Sequence, residues 1–143
     1  MTDISVALRN AIINDPIIAP LLSTYRNSPA MFLRHPAPTG ATFPYILSGS
    51  DTTVTDDDFI SDEKPVIIRQ ISVYGEQKAH FRVVEQIARR LRVLFHRKPN
   101  SIFIDGYHVI QITVQGPVDA PVADDQNTGK AVSLTVRVQP TNS

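Results

Sequence analysis

The chain has 143 residues, with 14 Lys or Arg against 14 Asp or Glu, so its formal net charge is zero. This length predicts one domain over residues 1–143, large enough for a buried core. Hydrophobic residues make up 42% of the chain and Cys is absent, which excludes general disorder, a disulfide framework and thiol chemistry. The charge balance argues against a general attraction to nucleic acid or to an anionic membrane.

The N-terminal segment shows helical periodicity and no targeting signal. Asp3 can cap a helix over residues 4–13, and Asp15 can cap a second short helix with Pro16 in its first turn. Apolar runs stay far below the roughly 20 residues of a membrane-spanning helix. We therefore expect no membrane partner, no signal peptide and folding in a cytoplasm. The apolar side of the first helix consists of Ile4, Leu8, Ala11 and Ile12.

The next stretch is rich in Pro and predicts short strands. Residues 31–33 form one candidate strand, and another runs from Phe43 to Ser48. Pro44 must lie at the beginning of that strand or at a sheet edge, because Pro has no N–H for the ladder. The composition then changes, since residues 51–63 contain six acids and no base. This acidic segment predicts a mobile loop or the tip of a long hairpin.

Residues 66–74 form the clearest predicted strand, which Gly75 should end. Alternation places one set of side chains on each face of the sheet. Arg69 interrupts the apolar set, so this part of the strand is expected at an edge or at an interface. The apolar set is Ile67, Arg69, Ile71 and Val73, and the opposite set is Ile68, Gln70, Ser72 and Tyr74.

Residues 77–96 predict one long amphipathic helix, ended by the segment 97–100. Its expected core stripe is Phe81, Val84, Ile87, Ala88, Leu91, Leu94 and Phe95. Its expected solvent side is Arg82, Glu85, Gln86, Arg89, Arg90 and Arg92. Basic residues near the end of the helix agree with the direction of its dipole.

Two alternating strands close the chain, at 107–114 and 131–138, with a second acidic loop over 117–129 between them. One face of the first should carry His108, Ile110, Ile112 and Val114, and the inward face of the second Val132, Leu134, Val136 and Val138. The order of elements predicts an α+β fold: a mostly antiparallel sheet with one long helix and an N-terminal helix packed on it.

No segment carries a recognisable catalytic or metal-binding motif. His35, His80, His96 and His108 are not paired at the spacings of a metal site. Residues 56–58 are three consecutive Asp, but a calcium loop needs alternating acids and a Gly turn. We therefore predict no catalytic, cofactor-binding or metal-binding residues and no cofactor.

Charge is distributed unevenly along the chain. Residues 82–98 contain six bases and one acid, opposite in sign to the acidic segment 51–63. Both stretches are compatible with simple solvation. A sharper hypothesis is head-to-tail association of copies through these opposite charges, and another is contact of the basic helix with phosphates. The residues predicted at a subunit interface are Arg82, Arg89, Arg90, Arg92, Asp56, Asp57, Asp58 and Glu63.

The order and spacing of these segments, over about residues 3–139, resemble the tail-completion or tail-terminator proteins of long-tailed bacteriophages. That family consists of small α+β, ring-forming virion proteins. No single motif carries the resemblance, which depends on the whole series. The series comprises the helix ending in 14–22, the Phe-Pro-Tyr strand at 42–47, the strand 68–77 leading into the helix segment 83–91, and the paired strands 108–114 and 132–138.

The resemblance implies a structural role in the tail or neck of a virion assembled in the host cytoplasm. A ring, usually of six copies, caps the head-proximal end of the tail tube, stops its growth and joins the tail to the head. The implied partners are further copies of the chain, the tail tube protein and the head–tail connector protein. Contact with DNA, if any, is not expected to be sequence-specific, and no enzymatic activity is implied.

Three alternatives remain open from the sequence. The first is another component of the head–tail junction, such as a head-closure or minor tail protein. The second is a nucleic-acid-binding α+β module that uses residues 82–98. The third is a small enzyme or ligand-binding domain, which would require a polar pocket with perturbed ionisable groups.

Overall fold

A computed structural model describes residues 4–33, 37–49, 52–53, 66–122 and 125–141. Its helices are α1 (Ile4–Ile13) and α2 (Gln77–Phe95), and short 3₁₀ turns span Ala19–Leu21 and Pro99–Ser101. Its strands are β1 (Thr24–Tyr25), β2 (Ser28–Pro29), β3 (Met31–Phe32), β4 (Tyr45–Ser48), β5 (Thr52–Thr53), β6 (Val66–Glu76), β7 (Tyr107–Asp119) and β8 (Asn127–Pro140). The predicted cap at Asp3 and the histidine His35 lie outside the described residues.

The main sheet has the strand order β3-β4-β6-β8-β7, and β5 also pairs with β6. All its pairs are antiparallel except β3 with β4. Helix α2 contacts β6, β7 and β8, while α1 contributes Ile4, Leu8 and Ile12 to the same core cluster. The predicted α+β class, with a mostly antiparallel sheet and both helices packed on it, is confirmed.

Strand β6 lies in the middle of the sheet, between β4 and β8. Its predicted apolar set is buried, so the alternation is confirmed. The predicted edge position of Arg69 is wrong: Arg69 is 4% exposed, its Nε donates to Ser48 Oγ at 2.8 Å, and it lies opposite Leu134. A polar partner on β4, rather than an edge, therefore accommodates this cation in the buried face.

The strand also continues one residue past Gly75, to Glu76, before α2 begins. A Cβ at Gly75 would lie 2.6 Å from the Cβ of His80 and 2.7 Å from Cγ2 of Val84. Glycine is required because the first two turns of α2 fold directly back over β6. Gly75 thus marks a close approach of helix and strand rather than the end of the strand.

The apolar side of α2 is confirmed for five positions, because Val84, Ile87, Ala88, Leu91 and Phe95 are buried. Phe81 was expected in the same stripe, and this is wrong, since Phe81 is 44% exposed. His80 takes the inward position in the first turns, where it lies over Gly75. Phe81, one residue further along the helix, consequently points about 100° away from it.

Strand β7 departs from simple alternation. Its pairing with β8 shifts between Val109 and Gln111, which indicates a β-bulge that inserts one residue. Upstream of the bulge, Tyr107 and Val109 pack against the core, whereas His108 and Ile110 are exposed. The prediction that His108, Ile110, Ile112 and Val114 share one face is therefore wrong. Ile112 and Val114, downstream of the bulge, are buried, whereas His108 and Ile110 are exposed.

The hairpin of β7 and β8 is longer than predicted. Its strands extend to Asp119 and from Asn127, so the predicted loop over 117–129 is reduced to residues 120–126. Asp119 pairs with Lys130 across the strands, which explains why this acid lies in the ladder. The predicted inward set of β8 is confirmed, because Val132, Leu134, Val136 and Val138 are buried.

The other hairpin contains the acidic segment. Strands β4 and β5 both pair with β6, through Ser48↔Ile71 and then Thr52↔Ile68. The arms of a long hairpin are therefore present, whereas the acids of residues 51–63 lie outside the described residues. Pro44 directly precedes β4, which lies inside the sheet, so its predicted place at the beginning of the strand is confirmed.

Candidate assembly surface

The exposed side of α2 carries two of the predicted interface cations. Arg82 and Arg89 lie seven residues apart, about two helical turns, and both are exposed. Nη2 of Arg89 lies 2.6 Å from Oε1 of Glu85, and the Arg89 side chain is 71% exposed. Such an exposed i, i+4 pair contributes only about 0.3–0.5 kcal/mol. Both guanidinium groups are therefore accessible to a partner.

Arg90 instead makes a contact within the chain. Its Nε and Nη2 donate to Oδ2 and Oδ1 of Asp15 at 3.1 and 2.8 Å. The same Oδ2 accepts the N–H of Ile18 at 3.1 Å, as a capping residue does. Hydrogen bonding and the charge of Arg90 hold the pKa of Asp15 below its ordinary value, against the effect of its burial. This bidentate pair fixes the turn after α1 to the middle of α2.

Arg92 also binds within the chain. Its Nη1 donates to the carbonyl oxygens of Val114 at 2.6 Å and Gly116 at 3.2 Å. Four residues further, Nδ1 of His96 accepts the N–H of Val114 at 3.0 Å. Desolvation, together with the charges of Arg92 and Arg97, lowers the pKa of His96. The end of α2 is thus hydrogen-bonded to the backbone of β7.

These contacts divide the predicted interface residues into three groups. Arg82 and Arg89 face solvent and stay predicted interface residues. Arg90 and Arg92 are engaged in stabilising the subunit itself, which the sequence analysis did not foresee. The four predicted acids, Asp56, Asp57, Asp58 and Glu63, lie outside the described residues.

A row of aromatic side chains, which the sequence pattern did not predict, crosses the sheet on the face opposite α2. The ring centroids of Phe43 and Tyr45 lie 5.0 Å apart and stack, and Tyr45 lies 5.9 Å from Tyr74, its partner in register. Tyr25 and Phe32 extend the row at 5.2 and 5.8 Å. Burial, and secondarily Tyr74, raises the pKa of Tyr45. The sequence indicates this row only through Phe43 and Tyr45, which lie two residues apart, on either side of Pro44.

Several large apolar side chains among the described residues are exposed. Phe103 is 79% exposed, Val118 61% and Val93 51%. Phe103 follows the 3₁₀ turn at the end of α2, and Val93 lies on the same exposed side of α2 as Arg89, four residues away. Apolar anchors beside charged groups are typical of protein interfaces.

The histidines of the described segments have separate environments. Nδ1 of His80 accepts the N–H of Glu76 at 3.1 Å, His96 accepts the N–H of Val114, and His108 is exposed. Within those segments, no three His, Asp or Glu side chains come together as metal ligands would. Neither α1 nor α2 is long and apolar enough to cross a membrane.

Comparison with known proteins supports the fold. No family model matches the chain, and no curated protein matches it. Its fold resembles that of a chain in the virion of a native gene transfer agent particle, with a TM-score of 0.74, 15% identity and coverage of 94% of this chain and 93% of the other. A second solved structure gives a TM-score of 0.62, 18% identity and coverage of 98% and 96%. The chain thus shares, over nearly its whole length, a fold that is found in a virion particle.

Proposed function

We propose that this chain is a structural protein of a phage-like virion. The observation that carries the proposal is the likeness, over 94% of the chain, to a chain of a gene transfer agent particle. The site geometry agrees with a role in assembly, because exposed cations and apolar side chains lie together on the outer side of α2 and beside its end. In this proposal the protein acts through contacts and catalyses no reaction.

We further propose that the protein forms a ring, of six copies, at the head-proximal end of the tail. There it would end growth of the tail tube and join the tail to the head, with the tail tube protein and the connector protein as its partners. The resemblance of the segment order to tail-terminator proteins supports this finer role. Another head–tail junction component is the alternative, because it would need the same kind of surfaces.

Within such a ring, Arg82 and Arg89 of one copy would face the acids Asp56, Asp57, Asp58 or Glu63 of the next. Exposed ion pairs contribute only about 0.2–1 kcal/mol each, so they would select the register of neighbouring copies. Burial of apolar side chains such as Val93 would supply most of the affinity, at roughly 25 cal/mol per Å² of buried apolar area.

Charge reversal tests this contact. Arg82→Glu with Arg89→Glu should impair ring formation, as measured by native mass spectrometry or by electron microscopy of assembled particles. Adding Asp57→Lys with Asp58→Lys should restore part of it. The matched control is Lys78→Glu with Lys98→Glu, which changes the charge by the same amount at two other exposed positions, on α2 and just after it. Assembly of the first variant at the wild-type level would contradict the contact.

Particles made without this protein test the function. Overlong tails or tails without heads would agree with a terminator role. Complete tails of normal length beside filled, tailless heads would indicate another junction component instead. Absence of the protein from purified particles, measured by mass spectrometry, would contradict any structural role in the virion.

A further inference from the structure

Among the strands that the structure describes, β7 forms one edge of the main sheet, since β8 is its neighbour and no described strand follows it. In an antiparallel pair, a residue directs its N–H and C=O either both toward the partner strand or both away from it. Val114 lies opposite Leu134, yet its N–H is bonded to His96. Val114 and, two residues before it, Ile112 therefore direct their backbone groups toward the outer edge.

The end of α2 occupies this outer edge at successive positions. The N–H of Arg97 donates to the carbonyl oxygen of Ile112 at 2.8 Å. His96 accepts the N–H of Val114 at 3.0 Å, and Arg92 donates to the carbonyl oxygens of Val114 and Gly116. Three residues of α2 and its C-terminal turn thereby bond four outer-edge groups of β7: the carbonyl oxygens of Ile112, Val114 and Gly116 and the N–H of Val114.

These bonds follow the pattern by which one strand pairs with the next. A bare edge strand presents alternating N–H and C=O groups, which bind any extended chain of suitable length. Side chains and one backbone N–H supply the complementary groups here. These four groups are consequently bonded without a strand, and a strand approaching them would have to displace Arg92, His96 and Arg97 together.

We propose that Arg92, His96 and Arg97 form a clip that closes the β7 edge to strand addition by a second copy of this chain. The occupant excluded by the clip is the β7 of that second copy. Two copies of an antiparallel edge can pair about a two-fold axis, because each outward N–H of one copy then faces an outward C=O of the other. The strand is 13 residues long, which is ample for such a pairing. This proposal does not depend on a role in a virion.

Arg92→Met tests the clip, since Met replaces the long aliphatic part of Arg92 but lacks the guanidinium that donates to Val114 and Gly116. The matched control is Arg137→Met, the same substitution at an exposed position of β8 opposite Gln111. In Arg92→Met, the amide of Val114 should exchange hydrogen about tenfold faster, as loss of about 1.4 kcal/mol of local protection would give. The control should exchange like the wild type.

Association is the second measurement on the same samples. Arg92→Met should form more dimer than the wild type by native mass spectrometry, with intermolecular NOEs between the β7 backbones of labelled and unlabelled copies. Unchanged exchange at Val114 would overturn the proposal. So would faster exchange without additional pairing of β7. If Arg92→Met does not fold, His96→Phe removes only the acceptor for Val114, and the same two outcomes apply to it.

Discussion

Arg90 donates hydrogen bonds to both carboxylate oxygens of Asp15, which lies 75 residues earlier in the chain. The Asp15 side chain is 2% exposed and that of Arg90 26%. The carboxylate also caps the turn that leads to the 3₁₀ segment. One buried acid therefore holds the turn after α1 in shape and attaches it to the helix that covers the sheet.

Removal of this carboxylate should destabilise the fold. Asp15→Ala leaves the partly buried Arg90 and the N–H of Ile18 without their acceptor, so we expect a loss of about 2–3 kcal/mol in the free energy of unfolding. Urea denaturation of Asp15→Ala, Arg90→Met and the double variant measures it. The double variant should lose less than the sum of the single variants, and strict additivity would show that the two residues are not coupled.

The same pair predicts a dependence of stability on acid. The pKa of folded Asp15 lies below its ordinary value, chiefly because Arg90 bonds the carboxylate. Between the two pKa values, the unfolded state therefore binds more protons than the folded state. The stabilisation that the Asp15 carboxylate gives the fold is present above about pH 4 and is lost as pH falls through the lower folded pKa. The stability difference between wild type and Asp15→Asn should therefore shrink between pH 5 and 2. A constant difference over this range would contradict the assignment.

His96 predicts a second dependence on pH, with a local reporter. Its Nδ1 can accept the N–H of Val114 only when the imidazole is neutral. Desolvation lowers the pKa of His96, and the positive charges of Arg92 and Arg97 lower it further. The neighbouring strand segments, residues 112–116 of β7 and 134–136 of β8, carry no titratable side chain. The bond is therefore intact above the ordinary His pKa and lost as pH falls through the lower folded value.

The measurement is the hydrogen exchange of the Val114 amide between pH 7.5 and 4.5, corrected for the pH dependence of the intrinsic exchange rate. Its protection should fall with decreasing pH in the wild type. In the matched variant His80→Gln, the same decrease should occur, because His80 bonds the N–H of Glu76 at the opposite end of α2. Protection that stays constant down to pH 4.5 would show that neutral His96 does not hold the edge.

The elements best predicted from sequence are those whose period is uninterrupted. The buried sets of β6 and β8 and the central stripe of α2 alternate regularly, so local periodicity alone identifies them. In strand β7, local periodicity assigns Ile110 to the wrong face, because a bulge there shifts the alternation by one residue. The bulge depends on pairing with β8, which the residues of β7 alone do not reveal.

The candidate surface was predictable only in part, for a related reason. Sequence placed Arg82, Arg89, Arg90 and Arg92 together on the polar side of one helix. Whether such an Arg faces solvent or binds within the chain depends on what lies beside the helix. Asp15 is distant in sequence, and the acceptors of Arg92 are backbone carbonyls of β7. Neither partner leaves a charge pattern near the helix.

Close packing at Gly75 yields a further prediction. A Cβ there would meet His80 and Val84 at distances below 3 Å, so Gly75→Ala must push the first turns of α2 away from β6. Overpacking of this kind costs about 1–3 kcal/mol. Thermal or urea unfolding of Gly75→Ala measures the loss. Gly40→Ala is the comparison, since a Cβ at Gly40 meets nothing within 4 Å, although its φ of +91° adds backbone strain. A loss no larger at Gly75 than at Gly40 would contradict the steric argument.

A substitution at Phe103 distinguishes an effect on assembly from an effect on the stability of the subunit. Its side chain is 79% exposed, so Phe103→Ser should change the free energy of unfolding by no more than about 0.5 kcal/mol. If Phe103 is an anchor for a neighbouring protein in the particle, the same substitution should lower incorporation into purified particles several-fold, because a buried aromatic anchor contributes about 2 kcal/mol or more to an interface. Val6→Ser is the control, since Val6 is also an exposed apolar residue, 49% exposed on α1. Quantitative mass spectrometry of particles measures incorporation. Equal incorporation of wild type and Phe103→Ser would show that this exposed ring is not part of the assembly surface.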